Sequence, residues 1–423
     1  MYLIYSALLA AAMVLATPFW LWQILRYGKY RAGLGQRFGW VPERILQQQA
    51  RPTIWVHAVS VGEVLAVHGL IEKLRTRFPG DRIVVSTTTD TGQKLAQQRF
   101  GGDNAFYFPL DFAFAIRPFL KVLKPRLVIM AETEFWPNFL RLAHAHGARI
   151  AVVNARISDR SWPGYRRLRF LLRRALKDVD LFLTQTDNDK RRLLEIGAPQ
   201  GRVQVSGNLK FDAPEPAAPA ILAALTAALA EQGAAPVLVC GSTVEGEEAI
   251  LAPVFASLFH QHPRSVVLLA PRHPERFDVV ADLLAQHGLK FLRRSQWEAG
   301  EIAGRVVLLD TIGELSALYI LADVALVGGS LVPSGGHNIL EPARYAAAIV
   351  VGEHTENFRD IVELFRRSDA VRITNPESVE KDLLQLMASQ AERNALGQRG
   401  KDVLQAQAGA TERTLSALSE LLS

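Results

Sequence analysis

The chain has 423 residues, 48 Lys and Arg against 42 Asp and Glu, 49% hydrophobic and 21% charged residues, and one cysteine, Cys240. That length exceeds what one core fills, so two domains are expected, and the apolar content excludes a disordered chain. One cysteine excludes a disulfide framework or a cysteine-based zinc finger, and a net charge of +6 falls below the excess of a dedicated nucleic-acid binder.

Residues 1–25 contain no Asp, Glu, Lys, Arg or His, and Pro18 is their only helix breaker. A run of about 20 apolar residues is long enough to cross a bilayer core. A cleaved signal peptide opens with a positive stretch, and none precedes this run. The positive charges follow it: Arg26, Lys29, Arg31 and Arg37. The positive-inside bias keeps such a flank cytoplasmic. Trp20, Trp22 and Tyr27 fall where an interfacial aromatic belt forms. The expectation is an uncleaved anchor at 1–25, spanning the membrane or lying in one leaflet, with the rest of the chain on the cytoplasmic side.

Short apolar runs then alternate with amphipathic ones. Strands are expected at Thr53–Val59, Arg82–Ser86, Leu127–Met130, Arg149–Val153 and Leu181–Thr184. Helices are expected at Glu63–Phe78, Thr91–Phe100, near Pro137–His146 and at a basic stretch near Gly164–Lys177. Continuously apolar strands suit a parallel sheet covered on both faces. Residues 213–236, rich in proline and alanine, read as a linker with a short helix at Ala220–Ala230. The alternation restarts with strands at Val237–Cys240, Val266–Ala270, Val306–Leu309, Val324–Val327 and Ile349–Val351. The expected fold is α/β, with two Rossmann-like doubly wound domains facing across a cleft. Its divisions are 1–25 anchor, 26–212 first domain, 213–236 linker and 237–423 second domain. Ligands of such sheets bind beyond the carboxyl ends of the strands.

In the second half, Val324–Val327 runs into Gly328-Gly329-Ser330, and Gly335-Gly336 precedes His337-Asn338-Ile339-Leu340-Glu341. Paired glycines let backbone approach a ligand, and a following helix offers free N–H groups to an anion. Glu341 is placed to meet a ribose hydroxyl pair. No strand opens into G-x-G-x-x-G, so this is not a nicotinamide fingerprint. Arg272, in Pro271-Arg272-His273-Pro274-Glu275-Arg276, can grip a phosphate or serve a surface ion pair. Asp310-Thr311-Ile312-Gly313-Glu314 offers backbone groups to a base or ribose.

In the first half, Ser60-Val61-Gly62-Glu63 follows the first strand. Glu63 can act as a general base or offset the helix dipole. Glu132 and Glu134 stand beside Phe135-Trp136-Pro137-Asn138, and Gly207-Asn208-Leu209-Lys210-Phe211-Asp212 brings Lys210 to the end of this half. Arg166, Arg167, Arg169, Arg173, Arg174 and Lys177, mixed with Leu and Phe, suit an anionic membrane surface or a solvated helix face. No H-E-x-x-H, Cys/His cluster, complete calcium loop or G-x-S-x-G elbow occurs, so neither a metal site nor a serine hydrolase is expected.

Taken in order, the anchor and these motifs resemble the 3-deoxy-D-manno-octulosonic acid (Kdo) transferases of bacterial lipopolysaccharide core assembly. The resemblance covers nearly the whole chain. It implies a GT-B fold, CMP-Kdo as donor, the lipid A precursor lipid IVA as acceptor, an inner-membrane location and no cofactor. It further implies Glu63 as general base, with Glu132 and Lys210 supporting the transition state. Pro271, Arg272, Ile312, Gly313, Glu314, Asn338, Ile339, Leu340 and Glu341 would hold CMP. One position departs from the family's pattern: Ala131 stands where methionine is expected directly before Glu132. Two other readings remain for the residues alone. One is another GT-B enzyme acting on a UDP-sugar, as transferase or epimerase. The other is a basic protein that binds membrane surfaces without catalysis.

Overall fold

The computed structural model describes residues 1–27, 32–47, 51–159 and 161–423. The chain forms two compact units, Met1–Pro214 with Ala408–Ser423, and Glu215–Gln407.

The first unit is built on a seven-stranded sheet. Its strands are β1 (Thr53–His57), β2 (Arg82–Thr87), β3 (Ala105–Tyr107), β4 (Pro125–Ala131), β5 (Arg149–Ala155), β6 (Leu181–Thr184) and β7 (Val203–Val205). Their order is β3-β2-β1-β4-β5-β6-β7, every pairing parallel. The chain leaves β1 in both directions, so the topological switch point lies between β1 and β4, where a doubly wound sheet opens a crevice. All five residues of β1 are buried, as a central strand covered on both faces requires. Trp55 anchors one layer, fully buried with ring centroids 4.9 Å from Phe139 and 5.3 Å from Phe106. Its indole N–H donates to Ser86 Oγ at 2.7 Å, so the one polar atom of this large side chain is satisfied. Truncating such a residue to alanine costs about 3–5 kcal/mol.

The second unit repeats the plan with β8 (Val237–Thr243), β9 (Val266–Pro271), β10 (Phe291–Arg293), β11 (Arg305–Leu308), β12 (Val324–Val327), β13 (Ala348–Val351) and β14 (Arg372–Ile373). The order is β10-β11-β9-β8-β12-β13-β14, again parallel throughout. Its switch point lies between β8 and β12.

Two divisions and one helix differ from the sequence expectation. The last helix, Ala410–Leu422, belongs to the first unit and not to a domain running from 237 to 423. Asp212 accepts hydrogen bonds from Gly409 N at 2.8 Å and Thr411 N at 2.5 Å, fixing the start of that helix. Ala410 and Leu418 then bury in the first unit's core beside Val64 and Leu209. The second difference is at 213–236, which is not a linker throughout. Helix Ala220–Gln232 buries Ile221, Leu225 and Ala228 in the second unit's core. Third, the basic stretch forms two helices, Trp162–Arg167 and Arg169–Leu176, parted at Leu168.

At the N-terminus, helix Tyr2–Tyr27 contains a span, Tyr2–Phe19, long and apolar enough to cross a membrane, with mean hydropathy 1.8 and none of it buried. Tyr2 Oη donates to Asp178, and Ser6 Oγ accepts from Asn138 Nδ2 at 2.9 Å. Lys29 and Arg31 of the expected positive flank lie outside the described residues, as do the side chains of Trp20 and Tyr27.

Candidate active site

In the first unit, the β1–β4 switch point gathers three carboxylates. Glu63 is the third residue of helix Val61–Arg77. Its carboxylate accepts from Val59 N at 2.8 Å and from Ser60 Oγ at 3.1 Å, which turns it back toward the end of β1. Only 9% of the residue is exposed. Burial, opposed by the Val59 N–H and reinforced by the charges of Glu132 and Glu134, pushes its pKa up to about 7.

Glu132 follows β4 directly and has a left-handed backbone, φ 56°, unusual for a residue other than glycine. Its N–H donates to Val153 O at 2.9 Å, so the turn starts while still bonded to the neighbouring strand. Lys210 Nζ stands 3.6 Å from Glu132 Oε1. Burial raises the pKa of Glu134, with the charge of Glu132 adding to it and the nearby Trp136 indole opposing it. This loop is braced on two sides. Thr133 Oγ1 donates to Arg156 O at 2.8 Å, and Tyr165 Oη donates to Thr133 O at 3.3 Å. The helix that follows, Pro137–Ala145, is fixed at its start by buried Asp111, which accepts from Asn138 N at 3.1 Å and Phe139 N at 2.7 Å.

Asn154 was not singled out from the sequence, yet it sets the position of Lys210. It is fully buried with φ 55°, and its Oδ1 accepts from Leu209 N at 3.0 Å. Its signal in the sequence is slight, a polar residue near the end of an apolar strand. Thus Glu63, Glu132 and Lys210 come together in one unit, with Glu134 beside them.

In the second unit, Pro271 ends β9 and is buried, while Arg272 is exposed just beyond it. The Arg272 backbone N–H donates to Thr243 O at 2.8 Å. Its guanidinium has no hydrogen-bond or ion-pair partner among the described residues, so the ion-pair alternative is not realised for Arg272. The arginine that does pair is Arg276, with Glu248 at 3.0 Å. Gly329, Gly335 and Gly336 all have positive φ, and a Cβ on Gly335 would lie 2.4 Å from Asn357. Gly336 N donates to Gly329 O at 2.7 Å, which ties the two glycine pairs together. His337 sits in this loop with its pKa lowered to about 4 by burial and then by the nearby Arg272 and His273, so it is neutral at pH 7.

Glu341 is held by Asn338 Nδ2 at 3.1 Å and by Ser316, with burial raising its pKa. The helix carrying it is short, Leu340–Arg344. Leu340 N already donates to Asn338 Oδ1, and Pro342 has no N–H. Two groups at this helix start are thus unavailable to an anion, and Arg272 is a cation of the unit's loops left unpaired among the described residues. Ile312 is exposed and Gly313 has φ 90°. The Glu314 carboxylate is taken by Arg294, at 2.8 and 3.1 Å, and by Thr311. That loop accordingly presents backbone rather than its carboxylate.

Two Rossmann-like units with polar residues collected at the strand ends define an α/β enzyme of the GT-B type. The UDP-GlcNAc 2-epimerase of Neisseria meningitidis, solved with UDP-GlcNAc bound, superposes with a TM-score of 0.58 over 87% of this chain and 100% of its own, at 13% identity. That likeness shows the fold alone. The chain belongs to the 3-deoxy-D-manno-octulosonic acid (Kdo) transferase family and is a glycosyltransferase. Residues 32–213 match the family described as 3-Deoxy-D-manno-octulosonic-acid transferase (kdotransferase). The 3-deoxy-D-manno-octulosonic acid transferase of Haemophilus influenzae is 34% identical over 398 residues, covering 93% of this chain and 92% of that protein. The transferase of the same name from Bordetella pertussis is 37% identical over 426 residues, covering 96% and 97%.

Proposed function

We propose that this protein transfers Kdo from CMP-Kdo to a hydroxyl of the lipid A precursor lipid IVA in lipopolysaccharide assembly, inverting the anomeric centre without a metal. The observation that carries the reading is Glu63, a buried carboxylate whose pKa of about 7 suits proton abstraction near neutrality. Glu63 takes the proton of the acceptor hydroxyl as its oxygen bonds to the anomeric carbon. The bond from that carbon to the phosphate oxygen breaks, and its electron pair leaves with CMP. Arg272 offsets the charge growing on the leaving phosphate, and Lys210 keeps Glu132 paired beside the base. A single displacement of this kind inverts the centre. The backbone of Ile312 and Gly313, with Asn338, Ile339, Leu340 and Glu341, is assigned to the nucleoside. The first unit is thereby the acceptor unit and the second the donor unit.

The apolar helix at the N-terminus serves as a single anchor in the inner membrane, with both units on the cytoplasmic side. Exposed Leu168 and Phe170, set among the cations of Trp162–Arg167 and Arg169–Leu176, suit an anionic bilayer surface. Thermal unfolding with CMP, CMP-Kdo or UDP tests the donor class. A ligand at a hundred times its Kd stabilises by about 2.7 kcal/mol. Stabilisation by the cytidine ligands and not by UDP is expected, and stabilisation by UDP alone would replace this reading with a UDP-sugar enzyme.

A further inference from the structure

One turn of helix Glu247–Gln261 touches both loops assigned to the donor. Glu247 is fully buried. It accepts from four backbone N–H groups: Val244 at 3.0 Å, Gly329 at 2.7 Å, Ser330 at 2.9 Å and Leu331 at 2.8 Å. Among the described residues no cation pairs with it, so four backbone dipoles face the carboxylate, and each dipole is fixed in direction by it. Gly328 allows the approach, because a Cβ there would lie 2.8 Å from Glu247 Oε2 and 2.6 Å from Ser242 O. From Ser330 the grip extends outward: its Oγ accepts from Gly352 N at 2.8 Å, and its carbonyl accepts from His354 N at 3.0 Å.

Glu248, 2% exposed, does the same for the other loop. It accepts from Arg276 Nη1 at 3.0 Å and Nη2 at 3.1 Å, and from Thr243 Oγ1 at 2.8 Å. Arg276 closes the Pro271–Arg276 segment, and Thr243 O receives the Arg272 N–H at 2.8 Å. The loop carrying the unpaired Arg272 is thus tied at both ends to Thr243 and Glu248.

We infer that Glu247 and Glu248 are positioning residues for the donor: neighbouring carboxylates that lock the glycine loop and the Arg272 loop to one helical turn, so that a nucleoside monophosphate meets a preformed site. This inference rests on the reading of the second unit as the donor unit. Neither residue is exposed enough to touch the nucleotide, so their effect passes through the loops. Preformed loops of this kind lower the ordering cost of binding.

The test is calorimetry with CMP on the full-length protein, well below its unfolding temperature, for wild type, Glu247→Gln, Arg276→Lys and Leu225→Ala. Glu247→Gln points an amide N–H₂ at a backbone N–H. Arg276→Lys keeps the charge on Glu248 but loses the two-pronged bond. The core variant Leu225→Ala lowers stability without reaching either loop. Expected results are a Kd for CMP raised at least tenfold by Glu247→Gln, severalfold by Arg276→Lys, and unchanged by Leu225→Ala. Steady-state kinetics should show KM for the nucleotide donor rising while KM for the acceptor stays fixed. If Glu247→Gln does not fold, Arg276→Lys decides. Unchanged CMP affinity in both loop variants, or equal loss in the core variant, overturns the inference while leaving the donor reading intact. If wild type binds no CMP, the donor reading itself fails and this inference falls with it.

Discussion

Glu63 and Glu247 stand at matching places in the two units, and their carboxylates are held differently. Each directly follows a glycine, Gly62 or Gly246, near the start of the helix after the first strand of its sheet. Each lies at the switch point of its sheet, beside the end of β4 or of β12. Glu247 meets four backbone N–H groups from its own turn and from the strand end opposite. Glu63 meets one, and the opposing strand end brings Glu132 and Glu134 instead. The same local plan yields a carboxylate held by backbone N–H groups in one unit and one whose pKa is pushed up to about 7 in the other.

Glu63→Gln should keep CMP binding and lower turnover by roughly 100-fold or more, the scale of a positioned base. In wild type, kcat/KM should rise with pH and level off above about 7, where Glu63 is ionised. That acidic limb should vanish in the variant. Turnover near the wild-type value would remove Glu63 from the role.

The same shift has a consequence for stability, with a definite sign. A carboxyl whose folded pKa is raised binds its proton more tightly when folded. The folded state therefore loses stability as pH rises from about 4.5, the ordinary value, to about 7, and no further above that. A shift of this size is worth roughly 3.5 kcal/mol at most, at about 1.4 kcal/mol per pKa unit. Glu63→Gln should thus unfold at a higher denaturant midpoint than wild type at pH 8, with the gap closing near pH 4. A variant less stable than wild type at pH 8 would show that the hydrogen bonds from Val59 and Ser60 outweigh the cost of burying the charge.

Lys210→Met removes the cation 3.6 Å from Glu132. The uncompensated charge of Glu132 then opposes ionisation of Glu63 more strongly, so the acidic limb of the pH–rate profile should move to higher pH. A fall in rate with the limb unmoved would confine Lys210 to contacts with substrate.

The central strands, the two-unit plan and the residues gathered around Glu63 were legible in the sequence, because long apolar runs and strand-end motifs are local signals. The edge strands β3, β7, β10 and β14 were not. They have two or three residues each, too few to show a period, and exist because a longer neighbour offers them hydrogen bonds. The return of Ala410–Leu422 to the first unit hangs on Asp212, almost two hundred residues away in sequence, and no local pattern announces it. Glu247 was readable only as a helix-start acid. Its four donors come mostly from a loop more than eighty residues later.

Arg272→Ala and Glu341→Ala should mainly weaken nucleotide binding, each by about 1.5–3 kcal/mol for a lost charge-assisted contact. Calorimetry with CMP checks this. Unchanged affinity in both variants would take the donor site away from these loops.

Removing residues 1–25 should leave both units folded, because no residue of the span Tyr2–Phe19 is buried and its ties to the first unit are the hydrogen bonds of Tyr2, Tyr5 and Ser6. Activity on detergent-dispersed acceptor should persist. On anionic vesicles it should become more salt-sensitive, since attraction through Arg166, Arg167, Arg169, Arg173, Arg174 and Lys177 is screened within about 8–10 Å at moderate ionic strength. Aggregation with no folded fraction in detergent would make this helix part of the core.

The central claim is tested most directly by the mass of the product formed from CMP-Kdo and tetraacylated lipid A precursor. Wild-type protein should shift the acceptor by whole Kdo residues and release CMP, with Glu63→Gln giving at most about a hundredth of that product in the same time. An acceptor of unchanged mass in the presence of bound CMP-Kdo, or one extended only when a UDP-sugar is supplied, would contradict the assignment.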